Sequence, residues 1–142
     1  MPQECQGVYY LGHGQSKLVR VIDDLVQPNG IVGTPDGKRL FVADIGGNKT
    51  WSYNINWDGS LSNKTLFCEM GSDGMTLDVK GNLYLTGKGV TVFDKRGSQV
   101  GNMAVPEPWT ANVCFGGADR KSLFITASEG LYRMKMRVMG DL

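Results

Sequence analysis

The sequence predicts an all-β chain of β-propeller blades, about three four-stranded blades that make up half of a six-bladed propeller. Three observations predict it. Glycine supplies 20 of the 142 residues, much of it in Asp-Gly, Lys-Gly or Gly-Gly pairs, the turn chemistry of many short strands. One motif recurs three times at blade spacing. The apolar residues alternate in twos, as in Trp51, Tyr53 and Ile55, and no window sustains a 3.6-residue period.

The repeat aligns Asn29-Gly30-Ile31-Val32 with Asp73-Gly74-Met75-Thr76 and with Asn112-Val113-Cys114-Phe115. Each is followed by a turn (Pro35–Lys38, Lys80–Asn82, Ala118–Lys121) and by an apolar strand beginning Leu40, Leu83 or Leu123. Asn29 to Asp73 is 44 residues and Asp73 to Asn112 is 39, the length of a four-stranded blade and not of a helical solenoid unit.

The elements follow in order within a single half-propeller domain spanning 1–142. Residues 1–26 hold two strands, Gly7–Leu11 and Lys17–Ile22, read as the outer pair of an incomplete or donated blade. Residues 27–70 form a blade whose fourth strand is Lys64–Glu69, and 71–106 form another whose fourth strand is Gln99–Val105. Residues 107–138 form a blade without its outer strand, with Arg133–Arg137 as a strand face and tail. Three blades do not close a ring, since propellers use about four to eight, and unpaired strand edges are costly. Two completions are open: the chain is a piece of a longer protein, or two copies complete one another. In the second case the Lys17–Ile22 strand adds to the third blade of a two-fold partner, giving a homodimer with six blades and isologous contacts.

Composition excludes several function classes. Fifteen Lys and Arg stand against 14 Asp and Glu, so no basic field favours nucleic acid. Apolar runs reach only about four or five residues, against the roughly 20 of a membrane span. The first residues read as no signal peptide. Cys5, Cys68 and Cys114 form no CxxC pair, and with a single histidine, His13, a Cys/His zinc site is not indicated. They read as reduced thiols in a cytoplasmic protein, Cys68 and Cys114 within apolar strands. His13, in a Gly-His-Gly turn, is expected on an exposed loop. Trp51, Trp57 and Trp109 are expected to pack between blades, with Trp109 alone placed to line the channel mouth.

Three motifs carry a family resemblance. Gln27-Pro28-Asn29-Gly30-Ile31 with Leu40–Asp44, then Ser72-Asp73-Gly74-Met75 with Asp78 and Gly81–Tyr84, then Val105–Pro108 with Asn112–Gly117 and Leu123–Ala127, together resemble the SMP-30/gluconolactonase/luciferin-regenerating-enzyme family. The match covers about Gly7 to Met136, in the later half of the family pattern only. The resemblance implies a six-bladed propeller with a divalent cation in its central channel. Ca2+ is expected, with Mg2+, Mn2+ or Zn2+ as alternatives, and the activity it implies is hydrolysis of sugar lactones and related cyclic esters, the substrate being a lactone or sugar acid. It implies Asn29 and Asp73 as metal ligands and Asp73 as catalytic base. The family's early-blade glutamate ligand and early substrate-holding residues have no counterpart here.

The residue types suit that chemistry. A hard cation takes six to eight oxygen ligands, and inner-strand starts converge on one mouth of the channel. There a cation can polarise a lactone carbonyl while a carboxylate takes a proton from water. Asn112, Trp109 and Met75 are assigned to the substrate or to support of the ligands. The competing reading of Asn29 and Asp73 is that they only shape turns. For the whole chain, the competing reading is a non-catalytic propeller fragment that serves as a binding or interaction module.

Overall fold

A computed structural model describes residues 6–141, and every regular element in them is a strand. These are β1 (Val8–Tyr10), β2 (Val19–Ile22), β3 (Pro28–Gly33), β4 (Arg39–Asp44), β5 (Lys49–Ile55), β6 (Leu61–Cys68), β7 (Met75–Leu77), β8 (Leu83–Gly87), β9 (Gly89–Phe93), β10 (Gln99–Met103), β11 (Thr110–Gly116), β12 (Ser122–Ala127) and β13 (Leu131–Lys135). They form four antiparallel sheets: the pair β1-β2, blade 1 in the order β3-β4-β5-β6, blade 2 in the order β7-β8-β9-β10, and blade 3 as β11-β12-β13. Sequential strands joined by tight turns are what the glycine and aspartate spacing dictates. Asp36, Asp58, Asp94 and Asp119 each accept the backbone N–H two residues on, at 2.9–3.0 Å, the local bond that makes Asx residues turn formers.

The blades stack face to face, with the core in the seams between them. The seam between blades 1 and 2 buries Phe41, Ala43, Phe67, Cys68, Met75, Leu77, Leu83, Leu85 and Phe93, with Phe41 and Phe67 edge to face at 5.0 Å. The next seam buries Tyr84, Val90, Val113, Phe115, Leu123 and Ile125. Each large apolar side chain so covered contributes ~1.5–3 kcal/mol. The pair β1-β2 covers the outer face of blade 1 through Ile22, Leu25, Val42 and Tyr53, as a neighbouring blade would.

The C-terminal segment ties blades 2 and 3 at the inner strands' far ends. Val79 N–H donates to Met139 O (3.0 Å), Asp141 N–H to Leu77 O (3.0 Å) and Gly140 N–H to Arg120 O (2.9 Å).

Two expectations are corrected. Trp57 sits at the tip of the β5–β6 hairpin and is 99% exposed, so it packs in no seam: the turn Asn56–Ser60 closes on itself by backbone bonds and asks nothing of that side chain. Cys114 lies in β11 but on its exposed face, because alternate residues of a strand point oppositely. Cys68 is buried, and burial pushes its thiol up to about 11. Cys5 lies outside the described residues.

Candidate active site

The starts of the inner strands β3, β7 and β11 lie side by side, and the backbone there is irregular in a way that aims side chains. In blade 1 the β3–β4 register slips between Pro28 and Ile31, so that Asn29 and Gly30 bulge from the ladder. In blade 3 it slips between Thr110 and Asn112. Bulges of this kind re-aim the residue they carry. Asp73 stands two residues before β7, in the linker from blade 1.

Glycine sets how close these strands come. Gly30 N–H donates to Ser72 O at 3.1 Å, and a Cβ on Gly30 would lie 3.0 Å from that oxygen and 3.1 Å from the Met75 methyl. A Cβ on Gly74 would lie 2.8 Å from Asn112 Cα and closer still to its amide oxygen. Neither glycine has a positive φ. The Asn-Gly and Asp-Gly pairs therefore serve close approach of neighbouring blades and not a left-handed turn.

The approach brings the predicted residues together. Asn29 Nδ2 donates to Asp73 Oδ1 at 2.7 Å, and Trp109 Nε1 donates to Asp73 Oδ2 at 2.6 Å. Both carboxylate oxygens thus take a neutral N–H, one from each flanking blade. Asn112 is turned differently: its Oδ1 accepts the Val113 N–H at 2.8 Å. Met75 lies one residue deeper, 7% exposed in the core, with its methyl against Gly30. His13 is exposed in a turn next to β1, away from this cluster.

A buried hydroxyl pair that the sequence reading did not single out fixes the Asp73 loop. Ser72 Oγ donates to Gly74 O (2.6 Å) and accepts the Thr86 N–H (2.8 Å). Thr86 Oγ1 accepts the Gly74 N–H at 3.0 Å and reaches Ala111 O of blade 3 at 3.3 Å. Both side chains are fully buried, and satisfied polar groups in such a setting hold one geometry. The signal in the sequence was a Ser just before an inner strand and a Thr near the end of the strand that follows it, which alone reads as ordinary composition.

Asp44 closes the strand beside Asn29. It is 3% exposed and accepts backbone N–H groups from Gln27 (2.7 Å), Val26 (3.0 Å) and Gly47 (3.1 Å). Burial pushes its carboxyl upward, but those three donors, with Lys64 nearby, more than reverse this and hold it below the ordinary aspartate range.

Along nearly its whole length the chain matches one family: residues 1–129 fit the SMP-30/gluconolactonase/LRE-like region. The chain belongs to that family. It is 29% identical over 131 residues to a gluconolactonase of Zymomonas mobilis, covering 82% of this chain and 36% of that protein. It is 30% identical over 112 residues to pentonolactonase XacC of Haloferax volcanii, covering 72% and 38%. Among solved structures, a crystal structure described as a gluconolactonase by protein family superposes with TM-score 0.87 at 30% identity, covering 99% of this chain and 49% of that one. Regucalcin of Agrobacterium tumefaciens, described as a calcium-binding protein, superposes at 0.80 with 21% identity, covering 95% and 53%. The chain thus spans just over a third of these curated relatives and about half of each solved propeller, the extent of a partial ring.

Proposed function

We propose that the chain forms half of a metal-dependent lactone hydrolase, with Asn29, Asp73 and Trp109 at the mouth of the channel. The contact of Asn29 with Asp73 across the first seam carries the reading, supported by the lactonase relatives. The oxygen donors suit a hard cation such as Ca2+ or Mg2+, with Mn2+ or the softer Zn2+ as alternatives and Ca2+ favoured by the likeness to regucalcin. Asp73 offers a carboxylate and Asn29 an amide oxygen once the amide turns over, which exchanges the Nδ2 now facing Asp73 for Oδ1. Among the described residues no group of three or more His, Cys, Asp or Glu is placed to hold a metal; in this proposal the chain supplies one side of a coordination sphere.

A cation bound there supplies Lewis acidity toward the lactone carbonyl. Asp73, in reach of the mouth, takes a proton from the attacking water. With Asn29 turned to the cation, Trp109 orients the Asp73 carboxylate, Asn112 lines the next blade, and Met75 is buried beneath it.

The ring is completed, in this proposal, by a second copy. Blade 3 ends in the edge strand β13, and β1-β2 stands as a two-stranded sheet against blade 1. Addition of the partner's β2 to β13 gives blade 3 its fourth strand, with β1 carried along as a fifth on the outside, and closes six blades around one two-fold axis. The two chains would then bring two Asn29 and two Asp73 to the channel.

Sedimentation mass with and without EDTA, followed by assay of gluconolactone-type substrates with Ca2+, Mn2+ or Zn2+, tests the reading. A dimer is expected, with turnover that falls about 100-fold or more in Asp73→Ala. Deletion of residues 1–22 is expected to leave a monomer. A monomer that binds no cation would sink the proposal, and a cation-binding dimer without turnover would make the protein a binding module.

A further inference from the structure

We infer that Trp109 is a positioning residue for Asp73: its indole N–H secures Oδ2 and leaves Oδ1 as the oxygen that meets a cation. The inference rests on the cation-dependent reading above and deepens it. An indole N–H is only a donor, so it can never become a ligand. Asn29 differs, since its amide can turn over and offer oxygen. Of the two groups now on the carboxylate, then, one can exchange its donor for an acceptor and the other cannot. That asymmetry divides the two oxygens by role: Oδ1, beside Asn29, faces the changeable partner, and Oδ2 is held at 2.6 Å by the fixed one.

The indole is itself built in from four sides. Its own carbonyl accepts from Ser128 N–H (3.1 Å) and Ser128 Oγ (3.3 Å). The next residue, Thr110, is fully buried and locked to the β8–β9 turn: Gly87 N–H donates to its Oγ1 at 2.9 Å, and that hydroxyl reaches Gly89 O at 2.5 Å. The ring lies over Gly87, whose missing Cβ would stand 3.8 Å from Trp109 Cη2. The fourth restraint is the bond to Asp73. A side chain 44% exposed yet held at its own carbonyl, at the following residue, at its ring face and at its N–H is set to aim a carboxylate, not merely to fill a seam.

Outer partners of this kind commonly change cation affinity 10–100-fold when removed, an effect of roughly that size being expected here. The test is calorimetric Ca2+ titration of the full chain as wild type, Trp109→Phe, Gly87→Val and, as a control on the remote hairpin, Trp57→Phe, each with a urea unfolding curve. Trp109→Phe keeps the ring and loses the N–H, and is expected to weaken Ca2+ binding by about 10-fold or more with little change in the urea midpoint. Gly87→Val keeps the indole but sets a Cβ 3.3 Å from the Met70 methyl and 3.8 Å from the ring, with the two further methyls crowding the ring from beneath; the same loss is expected, and this variant carries the test if Trp109→Phe fails to fold. Trp57→Phe is expected to match wild type. Ca2+ affinity in Trp109→Phe, or in Gly87→Val where that variant carries the test, within about two-fold of wild type overturns the positioning role and leaves the cation reading intact. A wild-type chain that binds no Ca2+ overturns both.

Discussion

The two seams of the half-ring are built to one plan and end in different contacts. At the first, between blades 1 and 2, a bulged asparagine reaches across and its amide meets Asp73. At the second, the asparagine in the equivalent place, Asn112, turns back to its own strand, and Trp109, three residues earlier, crosses to Asp73 instead. The seams also differ in closeness. Gly30 approaches a carbonyl at ordinary hydrogen-bonding range, whereas Gly74 is pressed against the Asn112 backbone. A repeat therefore fixes where a residue stands, and the neighbouring blade decides what its side chain does.

The sharpest way to break this contrast is to add one methyl to each glycine. Gly74→Ala forces a Cβ to 2.8 Å from Asn112 Cα, backbone that cannot swing aside, and is expected to cost about 3 kcal/mol by overpacking. Gly30→Ala meets Ser72 O at 3.0 Å and a movable Met75 methyl at 3.1 Å, and is expected to cost about 1 kcal/mol. Urea unfolding of the two variants measures both. Equal losses would mean that the seams tolerate crowding alike and that the closer approach is not a real difference.

Buried hydroxyls give the next largest effect. In the second seam Thr110 both receives the Gly87 N–H and donates to the β8–β9 turn. At the first seam Thr50 Oγ1, on β5, donates to Met70 O in the linker leaving blade 1, at 2.7 Å. Thr110→Val strands a buried N–H and is expected to cost about 2 kcal/mol, and Thr50→Val, which leaves one carbonyl lone pair unmet, about 1 kcal/mol. Chemical denaturation resolves the difference. Reversed order would show that the first seam is the more tightly bonded.

Much of the fold was legible in the sequence because blade architecture rests on period. The spacing of Asn29, Asp73 and Asn112, the alternation within strands and the Asx turns are local signals, and the strand order follows them. That Asn29 and Asp73 meet was legible because equivalent positions in stacked blades converge. What the sequence could not show depends on contacts between blades. The reach of Trp109 to Asp73 spans 36 residues and has no local signature. Gly30 and Gly74 read as turn formers until the neighbouring backbone is seen at their Cα atoms. Trp57 read as a seam residue because aromatic side chains favour burial, yet it lies on a hairpin whose turn needs no packing partner. Ser72 and Thr86 are ordinary strand residues by composition, and only their burial in one network makes them the support of the Asp73 loop.

The smallest effect separates the seams by pH. Each holds the chain entering its inner strand by a clamp at the end of the second strand, but the clamps differ in chemistry. In blade 1 it is the Asp44 carboxylate, accepting from Val26 and Gln27; in blade 3 it is neutral Ser128, donating to Trp109 O. Although burial works against its charge, the backbone donors hold Asp44 below the ordinary range. A carboxyl lowered in the folded state contributes stability that is complete above its unfolded value, near pH 4, and is lost as pH falls through the folded one. Acid should therefore loosen the Asn29 side and leave the Trp109 side closed. Hydrogen-exchange protection factors between about pH 6 and pH 3 should fall at the Val26 and Gln27 amides and hold at Ser128 and Gly87. In Asp44→Asn the Val26 and Gln27 amides should be weakly protected at every pH, with the acid step gone. A step that persists in that variant would move the switch to another carboxylate and leave the two clamps equivalent.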